Sequence, residues 1–512
     1  FTVKLNDTGI NGTYGGMTFT KGVATVELKG GETATATGLP TEITYTITEA
    51  SATGFKQTGV TGKTGSIKTT KSTATFTNTR DTGDLELSKE LISDRTADTD
   101  KVFTFTIELS DTSITKEYNG VQFTNGKATV KLKGGQSKVI KGLPTDITYT
   151  VTEASATGFQ LTGVTGDSGT ISTTKSEANF ENTREKGNLV LSKALISDRA
   201  ADKNQVFTFT VKLFDTGIND TYGDMTFVDG VATVMLKGGE KAEATGLPTD
   251  ITYEITEASA DGFQVTGKTG DTGSISTTKA EATFTNTRET GDLELSKKLI
   301  SDAAADKDQV FTFTIQLDDI SINKTYSDVQ FTDGKATVKL KGGESKLIKG
   351  LPTGVGYTVT EASADGFQVT GKTGDTGTIS TTKSKAEFTN TRDTGDLDVT
   401  KSVTSSTPND LNKDFSFTVT LSDTTINGTY GDMTFANGVA NFTLKHGETK
   451  KAKGLPTGIS YTVEEERDGK FITTKTGETG KIATGTITAS FSNAKDEGGL
   501  QVSKTVQSII EA

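Results

Sequence analysis

The chain has 512 residues, a formal net charge of −12, a single histidine, and neither cysteine nor tryptophan. One hydrophobic core does not usually extend over so many residues, so we expect several domains. The negative charge argues against nucleic acid and anionic membranes as partners, and the lack of cysteine excludes disulfides and thiolate chemistry. His446 is the only histidine and lies in a predicted turn, so we expect neither a Ser-His-Asp site nor a histidine metal cluster.

The predicted elements are short strands from the first residue onward. Residues 1–5 (Phe-Thr-Val-Lys-Leu) already have the pattern of the middle of a strand, so we expect the sequence to be part of a longer chain. Threonine, valine, isoleucine, phenylalanine and tyrosine favour strands, and glycine marks the turns between them. No segment has a sustained helical period, and no apolar run is long enough to cross a bilayer. The chain is therefore predicted to be all-β.

One order of elements recurs along the chain. A complete unit has a Leu-x-Leu-x-Lys strand or a close variant, an FTFT or FSFT strand, a tyrosine-containing hairpin, a Lys-Gly-Gly or Lys-His-Gly turn, a Gly-Leu-Pro-Thr segment, a Tyr-x-x-x-Glu strand and a Phe-x-Asn strand. The lysines of successive first strands are 104, 104, 104 and 103 residues apart, at Lys89, Lys193, Lys297, Lys401 and Lys504. This period predicts a tandem array of immunoglobulin-like β-sandwich domains, each with about seven antiparallel strands.

The repeat sets the predicted domain boundaries. Repeat 1 spans residues 1–80 and lacks its first strand, and repeats 2 to 5 span residues 84–184, 188–288, 292–392 and 396–495. Residues 499–512 are predicted to be the first strand of a following repeat or a donor strand. Only 11 residues separate the last asparagine of one repeat from the first lysine of the next, which leaves no room for a flexible linker. We therefore expect a stiff array.

In repeats 2 to 5, three polar side chains lie on the apolar face of their strands, so we expect them to point towards the core. Residues two apart along a strand share one face. In repeat 2, Lys89 shares its face with leucines, Glu153 with a tyrosine and a valine, and Asn182 with an alanine and a phenylalanine. A single lysine, glutamate or asparagine in such a place is ordinarily solvated or part of a turn. The recurrence of all three in the apolar phase of four repeats favours a specific buried role.

The same phase selects one residue of each type in the later repeats. The candidates are Lys193, Glu257 and Asn286 in repeat 3, Lys297, Glu361 and Asn390 in repeat 4, and Lys401, Glu465 and Asn493 in repeat 5. Burying an unpaired ammonium or carboxylate costs several kcal/mol, so a burial that recurs in every repeat requires compensation.

A covalent bond would supply this compensation. Burial lowers the pKa of a lysine and raises that of a glutamate, so the pair can become a neutral amine and a neutral acid. The amine is then a nucleophile, while the acid polarises the asparagine carbonyl and shuttles protons. Attack forms a Lys–Asn amide and releases ammonia, and it needs no cofactor and no metal. The predicted catalytic residues are Glu49, Glu153, Glu257, Glu361 and Glu465.

These motifs resemble the Gram-positive pilin and adhesin stalk repeats, the CnaB-like and streptococcal pilin isopeptide-linkage domain family. The resemblance rests on the Leu-x-Leu-x-Lys start, the Gly-Leu-Pro-Thr and Tyr-x-x-x-Glu segments and the Phe-x-Asn end, and it covers essentially the whole chain. It implies CnaB-like sandwiches in which an isopeptide bond joins the first strand to the last. Repeat 5 departs from the pattern, because 28 rather than 29 residues separate Glu465 from Asn493.

The two ends of the chain are complementary. Repeat 1 has Glu49 and Asn78 but no lysine strand, and the last segment has Lys504 but no domain after it. One interpretation is that the sequence is a window of a longer repetitive chain. The other is donor-strand assembly, in which the last strand of one copy completes repeat 1 of the next and crosslinks Lys504 to Asn78.

The predicted function is that of a structural stalk or shaft of an extracellular bacterial fibre, pilus or adhesin, not an enzyme. Its expected partners are neighbouring repeats or copies of itself, with any host or microbial ligand bound by regions outside this chain. The alternative is that the repeats themselves bind host matrix or glycan; near-identical repeats favour the spacer role. Aspartate-rich turns such as residues 215–224 lack EF-hand spacing, so we expect no metal site. The expected location is the bacterial cell surface or cell wall, or a secreted fibre.

Overall fold

The computed structural model describes residues 1–507, and strands dominate this part of the chain. None of its helices has the length and apolar character needed to span a bilayer. Within the same residues, no group of three or more His, Cys, Asp or Glu side chains is placed to hold a metal ion. The fold class predicted from the sequence is confirmed: the chain is all-β, a tandem array of immunoglobulin-like β-sandwiches.

Repeat 1 lacks a lysine strand, and only two strands remain in one of its sheets. A four-stranded sheet has the order β4-β1-β5-β7, while β6 and β8 form a two-stranded sheet and β2 and β3 a hairpin. The strands are β1 (Thr2–Leu5), β2 (Gly12–Tyr14), β3 (Met17–Phe19), β4 (Val23–Thr25), β5 (Thr44–Thr48), β6 (Phe55–Thr61), β7 (Thr64–Ser66) and β8 (Thr75–Arg80).

Repeat 2 shows the complete sandwich. One sheet has the order β14-β9-β18-β16 and the other β13-β10-β15-β17, while β11 and β12 form a separate hairpin. A 3-10 helix, Thr96–Asp100, connects β9 to β10. The strands are β9 (Thr82–Ile92), β10 (Val102–Leu109), β11 (Glu117–Tyr118), β12 (Val121–Gln122), β13 (Lys127–Lys133), β14 (Ser137–Pro144), β15 (Thr148–Glu153), β16 (Phe159–Thr165), β17 (Ser168–Thr170) and β18 (Ser176–Arg184).

Repeats 3 and 4 have the same strand order as repeat 2, with 3-10 helices at Ala200–Asn204 and Ala304–Asp308. The strands of repeat 3 are β19 (Lys186–Ile196), β20 (Val206–Leu213), β21 (Thr221–Tyr222), β22 (Met225–Thr226), β23 (Val231–Lys237), β24 (Lys241–Pro248), β25 (Thr252–Glu257), β26 (Phe263–Thr269), β27 (Thr272–Ser274) and β28 (Ala280–Arg288). Those of repeat 4 are β29 (Thr290–Ile300), β30 (Val310–Leu317), β31 (Thr325–Tyr326), β32 (Val329–Gln330), β33 (Lys335–Lys341), β34 (Ser345–Pro352), β35 (Gly356–Glu361), β36 (Phe367–Thr373), β37 (Thr376–Thr378) and β38 (Ser384–Arg392).

Repeat 5 replaces the 3-10 helix by a short α-helix, α1 (Pro408–Leu411). Its strands are β39 (Thr394–Thr404), β40 (Phe415–Leu421), β41 (Gly428–Tyr430), β42 (Met433–Phe435), β43 (Val439–Leu444), β44 (Thr449–Pro456), β45 (Ser460–Glu465), β46 (Phe471–Thr476), β47 (Thr479–Lys481) and β48 (Gly485–Lys495). Residues 496–507 form neither helix nor strand. The rest of the segment predicted as a following or donor strand, residues 508–512, lies outside the described residues.

The first and last strands of each complete repeat run parallel, which corrects the expectation of wholly antiparallel sheets. In repeat 2, β9 pairs with β18 so that Lys89 lies opposite Phe180 and Leu91 opposite Asn182. The complete repeats also contain ten strands rather than seven, because the hairpin and a turn add short strands. Because the first and last strands are parallel, the chain leaves a repeat in the same direction in which it entered.

Each complete repeat has its own apolar core between its two sheets. In repeat 2 this core includes Leu85, Leu87, Phe103 and Phe105, all at most 1% exposed. The ring of Phe105 meets that of Phe180 edge to face, with 5.1 Å between the ring centroids, and this contact joins one sheet to the other. The alternation of buried and exposed residues along β9 and β10 follows the predicted period of two.

Candidate crosslinking site

A lysine of the first strand is buried in each complete repeat. The side chains of Lys89, Lys193, Lys297 and Lys401 have no exposed surface. Each follows two buried apolar residues of the same strand face, which is why the strand carries it into the core.

A glutamate and an asparagine from two other strands meet that lysine. The glutamates end β15, β25, β35 and β45 in the opposite sheet, and their side chains are between 1% and 4% exposed. The asparagines lie near the ends of β18, β28, β38 and β48 and are at most 3% exposed. The structure therefore places the three predicted side chains of each complete repeat together at the core.

The carboxylate lies between the other two groups. The asparagine Nδ2 donates to the glutamate Oε1 at 2.6 Å in repeats 2, 3 and 4 and at 2.5 Å in repeat 5. The lysine Nζ lies 3.2 Å from the carboxylate in repeat 3 and 2.9 Å in repeats 4 and 5. In repeat 2, Lys89 is 3.7 Å from Glu153 and donates instead to the carbonyls of Glu90, at 2.9 Å, and Phe180, at 3.3 Å.

A phenylalanine of the FTFT or FSFT strand covers each ammonium group. The distance from the lysine Nζ to the ring centroid is 4.6 Å at Phe103, 4.3 Å at Phe207, 4.2 Å at Phe311 and 4.4 Å at Phe415. The ring attracts a cation but keeps water away from it. The FTFT motif identified the strand, but its contact with the lysine was not predicted from the sequence.

Burial changes the ionisation of these groups. It lowers the pKa of Lys89, Lys193, Lys297 and Lys401, because the protein interior solvates an ammonium group less well than water does. In repeat 2, burial also raises the pKa of Glu153, although Lys89 and Asn182 act in the opposite direction. Both directions favour proton transfer from the lysine to the acid.

The asparagine oxygen is left without a partner in all four complete repeats. Oδ1 of Asn182, Asn286, Asn390 and Asn493 is buried and accepts no hydrogen bond. Such unsatisfied buried groups are uncommon and call for an explanation. Because the two ends of a carboxamide are nearly equal in shape, a half turn would bring Oδ1 to the glutamate.

Repeat 1 has the acid and the carboxamide in contact. Asn78 donates to Glu49 at 2.7 Å, and Gln57, which the sequence analysis missed, donates to the other oxygen at 2.9 Å. Asn78 is exposed, in contrast to its buried equivalents. Lys504 is exposed, and within residues 1–507 it makes no hydrogen bond or ion pair, so this structure does not bring it to Asn78.

Four of these tandem sandwiches bury a lysine, a glutamate and an asparagine close together, which defines the chain as a β-sandwich repeat protein with a candidate crosslinking site in each complete repeat. More specifically, the chain belongs to the family described as Domain of unknown function (DUF7601), whose model matches residues 1–80, 83–184, 187–288, 291–392 and 395–495.

Parts of this chain are similar in sequence or structure to known proteins. The pilus tip adhesin Cpa of Streptococcus pyogenes is 40% identical over 79 residues, which cover 14% of this chain and 12% of that relative. The Bacillus anthracis TIE protein is 18% identical, with a TM-score of 0.39; the aligned part covers 77% of this chain and 69% of the chain of that protein. The major pilin T-13 of S. pyogenes is 20% identical and covers 41% and 98% respectively, with a TM-score of 0.27.

Proposed function

We propose that the chain is a structural stalk of an extracellular bacterial fibre, pilus or adhesin, and that Lys–Asn isopeptide bonds stabilise its repeats. One observation carries this proposal: in repeats 2 to 5, a buried carboxylate binds the carboxamide and lies 2.9–3.7 Å from the amine. Each of repeats 2 to 5 would act as an independent domain, with the boundaries given by the sequence period.

The bond would form in three steps. The lysine ammonium transfers a proton to the glutamate, which leaves a neutral amine and a neutral acid. After the carboxamide turns, the acid donates a hydrogen bond to Oδ1, and Nζ attacks the asparagine Cγ. The Cγ–Nδ2 bond then breaks, the glutamate passes protons to the departing nitrogen, and ammonia leaves. No oxidant or cofactor is required, and the fixed positions of the groups lower the entropic barrier.

Such bonds would suit a load-bearing stalk. The lysine lies in the strand by which the chain enters a repeat, and the asparagine in the strand by which it leaves. Tension would pass from one strand to the other through the bond and bypass the rest of the sandwich. An amide also resists reduction, which serves a surface protein without cysteine.

The test is a protease digest of the unfolded chain followed by mass spectrometry. We expect branched peptides that join the lysine strand to the asparagine strand of the same repeat, each lighter by one ammonia. Linear peptides alone would contradict the proposal. A chain with branched peptides that also binds matrix or glycan through one repeat would favour the alternative, adhesive function. Branched peptides between Lys504 and Asn78 of different copies would support donor-strand assembly.

Repeat 2 is expected to form its bond last. Lys89 is bound by two backbone carbonyls, and Glu181 adds a negative charge that favours its protonated form, where repeats 3 and 4 have Thr285 and Thr389. We expect repeat 2 to react on the order of tenfold more slowly than repeat 4, which corresponds to about 1.4 kcal/mol in the barrier. Samples quenched at intervals after cell-free synthesis, then digested, give the rate of each repeat.

The variant Glu181→Thr tests the cause of this delay. It is expected to bring repeat 2 towards the rate of repeat 4. The change Glu177→Thr, at an exposed position of the same strand where Glu181 is half-buried, is expected to leave the rate unchanged. Equal rates for repeats 2 and 4 in the unmodified chain would show that the carbonyl contacts of Lys89 have no effect on the reaction.

A further inference from the structure

The strand that ends each of the first four repeats finishes on an arginine that reaches into the next repeat. Its partner is the backbone carbonyl of the threonine that ends the Gly-Leu-Pro-Thr segment. Arg184 binds Thr249 at 2.5 Å, Arg288 binds Thr353 at 2.7 Å and Arg392 binds Thr457 at 2.5 Å. Arg80 binds the carbonyl of Thr145 in the same way.

The same threonine is bound a second time, through its N–H. Between the last strand of repeat 2 and the first strand of repeat 3 lies only Glu185. Its N–H donates to Gly158 of its own repeat at 2.9 Å, and its carbonyl accepts from Thr249 of the next repeat at 3.0 Å. The other three junctions contain the equivalent pair of bonds, so the single linking residue is fixed to both repeats. A linker bound on both sides cannot act as a free hinge.

The arginine is oriented by its own repeat before it meets the next. The guanidinium of Arg184 lies 4.7 Å from the ring centroid of Phe159 and 3.5 Å from Asp98, and the arginine is only 4% exposed. Asp98 is itself held by Ser93 at 2.6 Å. Stacking on a ring and pairing with a buried carboxylate restrict a side chain that is otherwise flexible, so less entropy is lost on contact with the neighbour.

A different loop of the next repeat makes a further contact. Arg95, beside the 3-10 helix of repeat 2, donates to Asp215 of repeat 3 at 3.0 Å. Between repeats 4 and 5, the N–H of Ala304 donates to Asp423 at 2.9 Å and Tyr430 donates to Asp302 at 2.9 Å. Contacts through two loops oppose rotation about either one.

We propose that the arginine and the threonine form a joint that fixes the angle between successive repeats and makes the array a rod. The arginine at the end of each repeat contacts the Gly-Leu-Pro-Thr segment of the next repeat. This role goes beyond crosslinking, because the proposed isopeptide bonds act within a repeat and the joint acts between repeats.

The backbone carbonyl, rather than an ion pair, is the shared partner. Asp250 also pairs with Arg184, at 2.7 Å, but the equivalent residues at the third and fourth junctions are Gly354 and Gly458. The carboxylate of Asp250 is 59% exposed, and exposed ion pairs contribute little. Asp250 has a φ of 61°, a conformation that glycine adopts readily. The change Asp250→Gly is therefore a matched control that removes only the ion pair.

The experiment measures the distance between nitroxide labels on both sides of the junction. Because the chain has no cysteine, labels can be attached at E108C and K212C, which are exposed and occupy equivalent places in repeats 2 and 3. Double electron–electron resonance on the full chain is expected to give one narrow distribution. The variant Arg184→Met, which keeps the apolar stem of the side chain, is expected to broaden it about twofold, while Asp250→Gly leaves it narrow.

Two outcomes would contradict the proposal of an arginine–threonine joint. A narrow distribution in Arg184→Met would show that the arginine does not fix the angle, and equal broadening in Asp250→Gly would assign the effect to the ion pair. If Arg184→Met does not fold, Arg288→Met with labels at K212C and Q316C gives the same test at the next junction. That junction has Gly354 in the place of Asp250 and so has no such ion pair. The intact mass of each sample reports the crosslinks separately, so failure of one proposal is distinguishable from failure of the other.

Discussion

Replacement of Glu361 by alanine is expected to leave repeat 4 without its bond while repeats 2, 3 and 5 form theirs. Glu361 is the group that contacts both Lys297, at 2.9 Å, and Asn390, at 2.6 Å. Without it, no neighbouring carboxylate takes the ammonium proton or polarises the carboxamide. The loss of a positioned acid and base typically slows a reaction by about 10² to 10⁴.

The Glu361→Ala chain should also be less stable. A buried charge that loses its partner costs about 3–5 kcal/mol of unfolding free energy, and the missing crosslink adds to that loss. Intact mass should show one ammonia more than the control, after correction for the substitution. The control is Glu387→Ala, an exposed glutamate of β38 in the same repeat. Complete bond formation in Glu361→Ala would contradict the assigned role of the acid.

The change Asn390→Ala is expected to make repeat 4 extensible under force. With the bond in place, tension passes from Lys297 to Asn390 and the 92 residues between them (298 to 389) stay folded. Without it, that segment can unravel. At about 3.5 Å per residue, its release adds on the order of 300 Å to the length of the chain.

Single-molecule pulling between the chain ends measures this extension. The unmodified chain should show no release of that length from repeats 2 to 5, and Asn390→Ala should show one. Asn323→Ala, which alters an exposed turn of repeat 4, should behave as the unmodified chain does. Releases of full length from the unmodified repeats would show that no bond carries the load.

Local pattern was enough to predict which side chains face the core. A period of two placed Lys89, Glu153 and Asn182 on apolar faces, and the structure buries all three at one point. The even spacing of the lysines likewise predicted the tandem sandwiches, which the structure shows. The reaction between these residues stays a prediction, because contact does not establish a bond.

Features that depend on distant parts of the chain were not predicted. The parallel pairing of β9 with β18 joins strands about ninety residues apart, and no local pattern gives its direction. The different contacts of Lys89 depend on its rotamer, which spacing cannot specify. Arg184 follows Asn182 by two residues and so shares its face, a signal that was available. Its partner is a backbone carbonyl in the next repeat, and because every residue has such a group, the sequence does not identify it.

The most direct test of the central claim is the intact mass of the folded, unmodified chain. The claim is that an acid, an amine and a carboxamide react in the core of repeats 2 to 5. The expected mass is lower than that of the linear sequence by four ammonia molecules, one for each of these repeats. A mass equal to that of the linear sequence would contradict the claim and leave a chain of uncrosslinked sandwiches.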